Sequence, residues 1–364
     1  MERFQSAAKV LRDGVSAGAF PGTVCAIHYR GEVSQFALGR YTYEPSAPSV
    51  GPDTIFDLAS VSKVIATTAM AMLLYDRGRL DLDAPVVSLV PEFRGPRADG
   101  AQDRAADPLR ERVTFRMLLA HSSGLPAYVR LFERAKTRDE LLALAFSTPL
   151  EHEPGAHAEY SDIGFIILGV ALERLAGESL DEFCAREVFQ PLGMAATRFC
   201  PPADWKPRIA PTADDQKFRH RVIQGEVQDE NAWVMGGVAG HAGVFSTAAD
   251  AAKFACCMLK GGAPLFRSET VRLFSTRQSR PEGTSRALGW DTPSSPSQSG
   301  HFFSARAFGH LGYTGTSLWV DPERDLAVTL LTNRTWPDCS SQAIKQVRPK
   351  FHDEVVEALS GPAS

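Results

Sequence analysis

Strand signals stand at both ends of this 364-residue chain, and helical signals fill most of the middle. Residues 23–30 and 33–40 are strand-like and meet at Gly31-Glu32, the pattern of a hairpin. Near the other end, 316–320 and 326–332 flank Asp321-Pro322-Glu323-Arg324-Asp325, a turn-prone loop between apolar runs. Helical character marks 2–18, the stretch after Ser60, 162–176, about 180–189, 248–260 and 340–359. Strands must bury an apolar face against something. The expectation is one sheet closed by both termini, with a mostly helical region inserted in its middle. The fold class is then α+β, an antiparallel sheet flanked by helices. A single unit over 1–364 is expected, its sheet-bearing part near 1–62 plus 245–364 and its mostly helical part near 63–244.

Charge and composition narrow the function classes. Lys and Arg total 39 against 43 Asp and Glu, a net charge of −4, with no dense basic run to meet nucleic acid. The longest apolar stretch, Ile163 to Leu172, is too short to cross a bilayer. Met1 to Gly22 lacks the features of a signal peptide, so a cytoplasmic location is expected, or a periplasmic one if a leader has been trimmed. The six cysteines form no Cys-x-x-Cys pair, and no His/Cys cluster has zinc spacing. Buried, reduced thiols are expected, with no metal and no cofactor. Residues 94–112 read as an exposed charged loop, 200–235 as irregular, and 276–303 as poor in structure signals.

Three short segments carry chemistry. In Ser60-Val61-Ser62-Lys63, the lysine is the only charged side chain between Val61 and Tyr75. Burial disfavours an ammonium and pushes its pKa down. Ser60 lies three residues earlier on the same helical face, so a nucleophile and a possible base share one turn. Tyr160-Ser161-Asp162 heads the second helix, where Ser161 or Asp162 suits an N-cap. Placed beside Lys63, Tyr160 would have its pKa lowered and would relay the Ser60 proton. Phe308-Gly309-His310-Leu311-Gly312-Tyr313-Thr314-Gly315 runs into a strand. It reads as a tight turn or as a substrate-binding edge, with His310 facing the site. The Tyr313 and Ser60 amides would then be the oxyanion donors.

The order and separation of these segments resemble the serine β-lactamase/penicillin-binding-protein superfamily. Within it, the likeness is to class C β-lactamase-like serine hydrolases and family VIII esterases. Supporting text is Asp57-Leu58-Ala59-Ser60-Val61-Ser62-Lys63, Leu118-Leu119-Ala120-His121-Ser122-Ser123-Gly124-Leu125 and Gly240-His241-Ala242-Gly243-Val244-Phe245-Ser246-Thr247. The resemblance spans about residues 5–358. It implies a β-lactamase/transpeptidase-like fold, with Ser60 acylated and with Lys63 and Tyr160 activating it. It also implies an oxyanion hole from the Ser60 and Tyr313 amides, and Asp162, His310 and Gly312 lining the substrate cleft. Asn231 is a further substrate-binding candidate. Asp229, Asn231 and His241 either reach the cleft or stabilise loops. His121 suits a structural hydrogen bond. Trp233, Trp290 and Phe302 either shape an acyl pocket or belong to the core.

Two departures from the family pattern bear on substrate. Asp162 stands where the family has asparagine, and His310 where it often has lysine. A carboxylate beside Lys63 favours the ammonium, which leaves Tyr160 as the stronger candidate for proton transfer. Neutral imidazole attracts a β-lactam carboxylate less than an ammonium does. The expected activity is a metal-independent serine hydrolase, foremost a carboxylesterase on small esters. The alternatives are a D-amino-acid peptidase, a peptidoglycan amidase or carboxypeptidase, a weak β-lactamase, or a non-catalytic scaffold. The expected partner is a small ester or amide, with no nucleic acid.

Overall fold

The computed structural model describes residues 2–95 and 107–359. Its strands are β1 (Gly22–Tyr29), β2 (Glu32–Gly39), β3 (Phe56–Asp57), β4 (Arg198–Phe199), β5 (Ala213–Asp215), β6 (Arg221–Ile223), β7 (Val244–Ser246), β8 (Phe308–Leu311), β9 (Ser317–Asp321) and β10 (Leu326–Thr332). Five of them form one antiparallel sheet in the order β2-β1-β10-β9-β8. Both chain ends thus meet in its centre, where Ala26 of β1 pairs with Thr329 of β10.

Period-two alternation sends the two faces of this sheet into different cores. Val24, Ala26, Leu318, Val320 and Leu331 join the larger core, which includes Phe254 of the helix Ala248–Leu259. Cys25, Ile27, Trp319, Val328 and Leu330 point the other way. They pack with Leu11 of the helix Gln5–Ser16 and with Phe351 and Val355 of the helix Ile344–Glu357. The larger core continues into the helical region between the sheet halves. Its longest helix, Asp162–Ala176, is buried along residues 163–172 and closes on Gly177, whose φ of 80° suits a left-handed C-cap.

Several sequence expectations need correction. The segment after Ser60 is not one α-helix. A 3₁₀ turn covers Ala59–Val61, a π-helical stretch covers Lys63–Thr68, and only Ala69–Asp76 is α-helical. The irregular stretch 200–235 contains the β5–β6 hairpin, held by Asp215, which accepts from the amides of Lys217, Phe218 and Arg219. Of the expected exposed loop 94–112, residues 96–106 lie outside the described residues. On its far flank, Arg110 is buried, because the carbonyls of Phe93, Phe146 and Thr148 accept its guanidinium hydrogens. All six cysteines are free thiols, but Cys200 and Cys339 are exposed.

Candidate active site

The sequence places Ser60 on a sharp turn. Ala59 has φ of 47°, uncommon for a residue with a Cβ, and its amide donates to Asp57 Oδ1 at 2.8 Å. Two residues later, Ser62 Oγ accepts from the Val244 amide and ties the segment to β7. The π-helical stretch then carries Lys63 into the interior, where its side chain is fully buried.

Lys63 Nζ donates to Ser60 Oγ at 3.0 Å, to Asp162 Oδ1 at 2.6 Å and to the His241 carbonyl at 3.0 Å. It also sits 4.8 Å from the centre of the Tyr160 ring. Burial works against the ammonium, but Asp162 and Tyr160 together outweigh it and hold Lys63 above the ordinary lysine range. This agrees with the expectation that a carboxylate at 162 keeps Lys63 an ammonium, against the downward push of burial. Tyr160 departs from expectation. Burial raises its phenol, Lys63 lowers it, Asp162 raises it again, and the net effect is upward.

Tyr160 and Asp162 are held by the head of their helix. Ser161 is the N-cap, its Oγ accepting from the Gly164 amide at 3.0 Å and donating to the Pro126 carbonyl at 2.7 Å. The Ser161 amide donates to His121 Nδ1, and the His121 ring stacks against Phe165. His121 thus plays the structural part expected of it. Acceptance at Nδ1 makes Nε2 the protonated nitrogen, and burial keeps the ring neutral.

The opposite wall is the sheet edge. His310 lies in β8, its ring centre 5.9 Å from that of Tyr160. Its Nδ1–H donates to the Leu311 carbonyl at 2.8 Å, which leaves Nε2 as a lone-pair acceptor with no partner among the described residues. Burial, then Lys63 and Arg286, push its pKa down to about 3. The turn after β8 is bolted to the Ser60 segment: Thr314 Oγ1 donates to the Asp57 carbonyl and Thr316 Oγ1 to the Leu58 carbonyl. Gly312 is required there, since a Cβ would collide with the Thr316 hydroxyl and the Leu58 carbonyl. These bonds set the Tyr313 and Ser60 backbone positions relative to each other.

Ser60, Tyr160, Asp162, His310, Gly312 and Tyr313 line one cleft of about 640 Å³. Asn231 does not reach it. Its amide is buried and spent on the loop beside it, with Oδ1 accepting from Phe132 N and Nδ2 donating to the Val129 carbonyl. Its neighbours Asp229 and His241 do line the cleft and pair with each other at 2.8 Å. The aromatic expectations shift likewise. Trp290 is core, while Trp233 and Phe302 lie outside the cleft wall. Tyr128 and Phe132 line it instead, and so do Arg286, Arg334, Lys345 and Arg348. Nothing local in the sequence marks these residues, because three separate loop segments and the helix Ile344–Glu357 bring them to the cleft.

The Beta-lactamase family model matches residues 7–347. The N-acetylmuramyl-L-alanine amidase of Bacillus subtilis (strain 168) is 33% identical over 362 residues, covering 90% of this chain and 80% of that protein. A putative D-alanyl-D-alanine carboxypeptidase of Escherichia coli (strain K12) is 33% identical over 310 residues, covering 77% and 69%. Among solved structures, EstCE1, a hydrolase with promiscuous acyltransferase activity, superposes with a TM-score of 0.77 at 23% identity, over 98% of this chain and 100% of that one. A class C β-lactamase from Rhodobacter sphaeroides gives 0.74 at 22% identity, over 98% and 99%. These folds share the antiparallel sheet with flanking helices described above. The chain belongs to the beta-lactamase family and is one of its serine hydrolases.

Proposed function

We propose that Ser60 is acylated by an ester or amide whose leaving part carries a negative charge, as in a D-amino-acid peptide or a muramyl peptide. The observation that carries the acyl-transfer reading is the buried Lys63 ammonium bridging Ser60 Oγ and Asp162, both of which line the cleft. An ammonium with three committed hydrogens is a poor base, so Lys63 acts by stabilising negative charge on the serine oxygen. Tyr160 then moves the proton. Its phenol is held protonated, which suits a concerted shuttle. The Ser60 hydroxyl proton passes to the Tyr160 oxygen as the phenol's own proton passes to the leaving oxygen or nitrogen. The Ser60–carbonyl bond forms, the bond to the leaving group breaks, and water later reverses the sequence. The Ser60 and Tyr313 amides are the donors assigned to the developing oxyanion.

The sheet-side wall supports a negatively charged substrate. Arg334, Lys345 and Arg348 line it, and His310, with a bare Nε2, supplies no donor for a carboxylate. The two 33%-identical relatives, named as an amidase and a putative carboxypeptidase, fit such substrates. A second reading, a carboxylesterase on small neutral esters, is favoured by Asp162 and neutral His310, which weaken recognition of a β-lactam or acylamide. A panel of neutral esters, D-alanyl peptides, muramyl peptide and nitrocefin, read for wild type and Ser60→Ala, tests both. Turnover of the charged amides above the neutral esters supports the first reading, and the reverse order supports the second. Turnover that survives Ser60→Ala rejects both.

A further inference from the structure

Asp57 lies three residues before the proposed nucleophile and lines no part of the cleft, yet three of its walls meet on it. Its Oδ1 accepts from the Ala59 amide at 2.8 Å and its Oδ2 from the Gln228 amide at 2.7 Å. Its carbonyl accepts from Thr314 Oγ1 at 2.8 Å. In β3 it pairs with Phe245 of β7, so its backbone cannot drift. The side chain is 1% exposed. Each bond fixes a different piece of the site: the Ala59 turn presents Ser60, Gln228 begins the wall that carries Asp229 and Glu230, and Thr314 belongs to the turn that presents the Tyr313 amide.

A buried carboxylate is an expensive way to satisfy two amides, and a fold would gain nothing from it that a buried asparagine or serine could not supply to one of them. The two amides meet different oxygens of the carboxyl, and a carboxylate accepts at both, whereas an asparagine would turn an NH₂ donor toward one of them. Ala59 makes the need clear, since its left-handed backbone stays in place only while the surroundings hold it. Resting on the hydrolase reading above, we propose that Asp57 is the positioning residue that registers Ser60 with the oxyanion turn and with the 228–230 wall. It acts through the Ala59 and Gln228 amides and touches no substrate.

The charge state of Asp57 gives a readout that a merely structural role would not move. Burial, only partly offset by the two amides, raises its carboxyl to about 6, and Asp229 and Arg219 are the charged side chains that face it. Protonation turns one acceptor oxygen into a donor facing an amide hydrogen. The active form is therefore the ionised one, present above about 6 and lost as the pH falls through it. His310, at about 3, and His121, lower than the usual range, do not titrate in that window.

The test uses the full chain, with Ser60 counted by a fluorophosphonate label. For Asp57→Asn, kcat per labelled serine on a p-nitrophenyl ester is expected to fall roughly 10- to 100-fold, the scale of a small misplacement of reacting atoms. Its KM for substrates with bulky acyl groups is expected to rise, and the acid limb of kcat near pH 6 to disappear. A variant that loses labelled sites but keeps wild-type kcat per site overturns the proposal. So does a wild-type kcat that stays flat between pH 5 and 7.5, a result that needs no folded variant. A wild type that takes no label overturns both this proposal and the hydrolase reading, whereas normal labelling with unchanged Asp57→Asn kinetics overturns this one alone.

Discussion

The two walls of the cleft are built on opposite electrostatic plans. On the helix side, Lys63, Tyr160 and Asp162 concentrate ionisable groups around Ser60, and the buried ammonium is matched by a carboxylate 2.6 Å away. On the sheet side, the cleft is lined by Gly312, Tyr313 and an imidazole, His310, kept neutral by burial. A buried charge requires a partner, which makes the helix wall intolerant of single deletions. The sheet wall acts on the reacting serine by position, so its sensitivity there is steric. The helix wall thus handles the serine's charge and proton, while the sheet wall sets geometry and leaves Arg334, Lys345 and Arg348 to meet the charge of the substrate.

The largest break in this division should come from Lys63→Ala. It removes the positive charge that stabilises the serine oxygen and leaves Asp162 unpaired, and kcat/KM should fall by roughly 10³–10⁴ in steady-state assays. Tyr160→Phe should cost about 10²–10⁴ on amides and alkyl esters but much less on p-nitrophenyl esters, whose leaving group needs no proton. Equal losses on both would remove the shuttle role from Tyr160. Gly312→Ala tests the sheet wall. The Cβ should push the turn proposed to carry the oxyanion donor off the Leu58 carbonyl and lower kcat by about 10- to 100-fold, with the pH profile unchanged. His310→Gln keeps an acceptor and should change kcat/KM only a few-fold, since no charge is lost.

The same contrast predicts acid sensitivity. His310 and His352 are buried and pushed down to about 3 from 6.5, and His121 is also lowered. The unfolded chain protonates these rings near 6.5, while the folded chain does not. The stability from keeping them neutral is complete above about 6.5 and is lost progressively as the pH falls toward 3. Each ring contributes a slope of about 1.4 kcal/mol per pH unit in that window. Asp57, raised to about 6, opposes this with the slope of one group between about 6 and 3.8. The melting temperature should therefore fall steadily below pH 6.5, which calorimetry across pH 4–8 would check. A constant melting temperature would show that these rings are solvated.

Some of this was legible from local pattern alone. The helix Asp162–Ala176 with its Ser161 cap and Gly177 stop follows from residues adjacent in sequence. The terminal hairpins do too, because alternation and turn chemistry act over a few residues. The Ser60 element, the Tyr160 element and His310 were identified in the sequence, although they lie up to 250 residues apart. The protonated Lys63 expected from a carboxylate at 162 is what the structure favours, since Asp162 Oδ1 lies 2.6 Å from its Nζ. What failed were properties set by the balance of several neighbours across space. A lysine neighbour predicted a depressed Tyr160, but desolvation outweighs it. Asn231 carried the right residue type for a substrate contact, and the fold spends its amide on Phe132 and Val129.

The sequence by itself determined the elements, the family and the residue types available at Ser60, Lys63, Tyr160 and His310, because each depends on short-range pattern. Only the tertiary structure decided which charges pair, which amides converge and which carboxylate, Asp57, ties three walls together. Those outcomes depend on distance and local dielectric, and both are set only when segments far apart in the chain pack against one another.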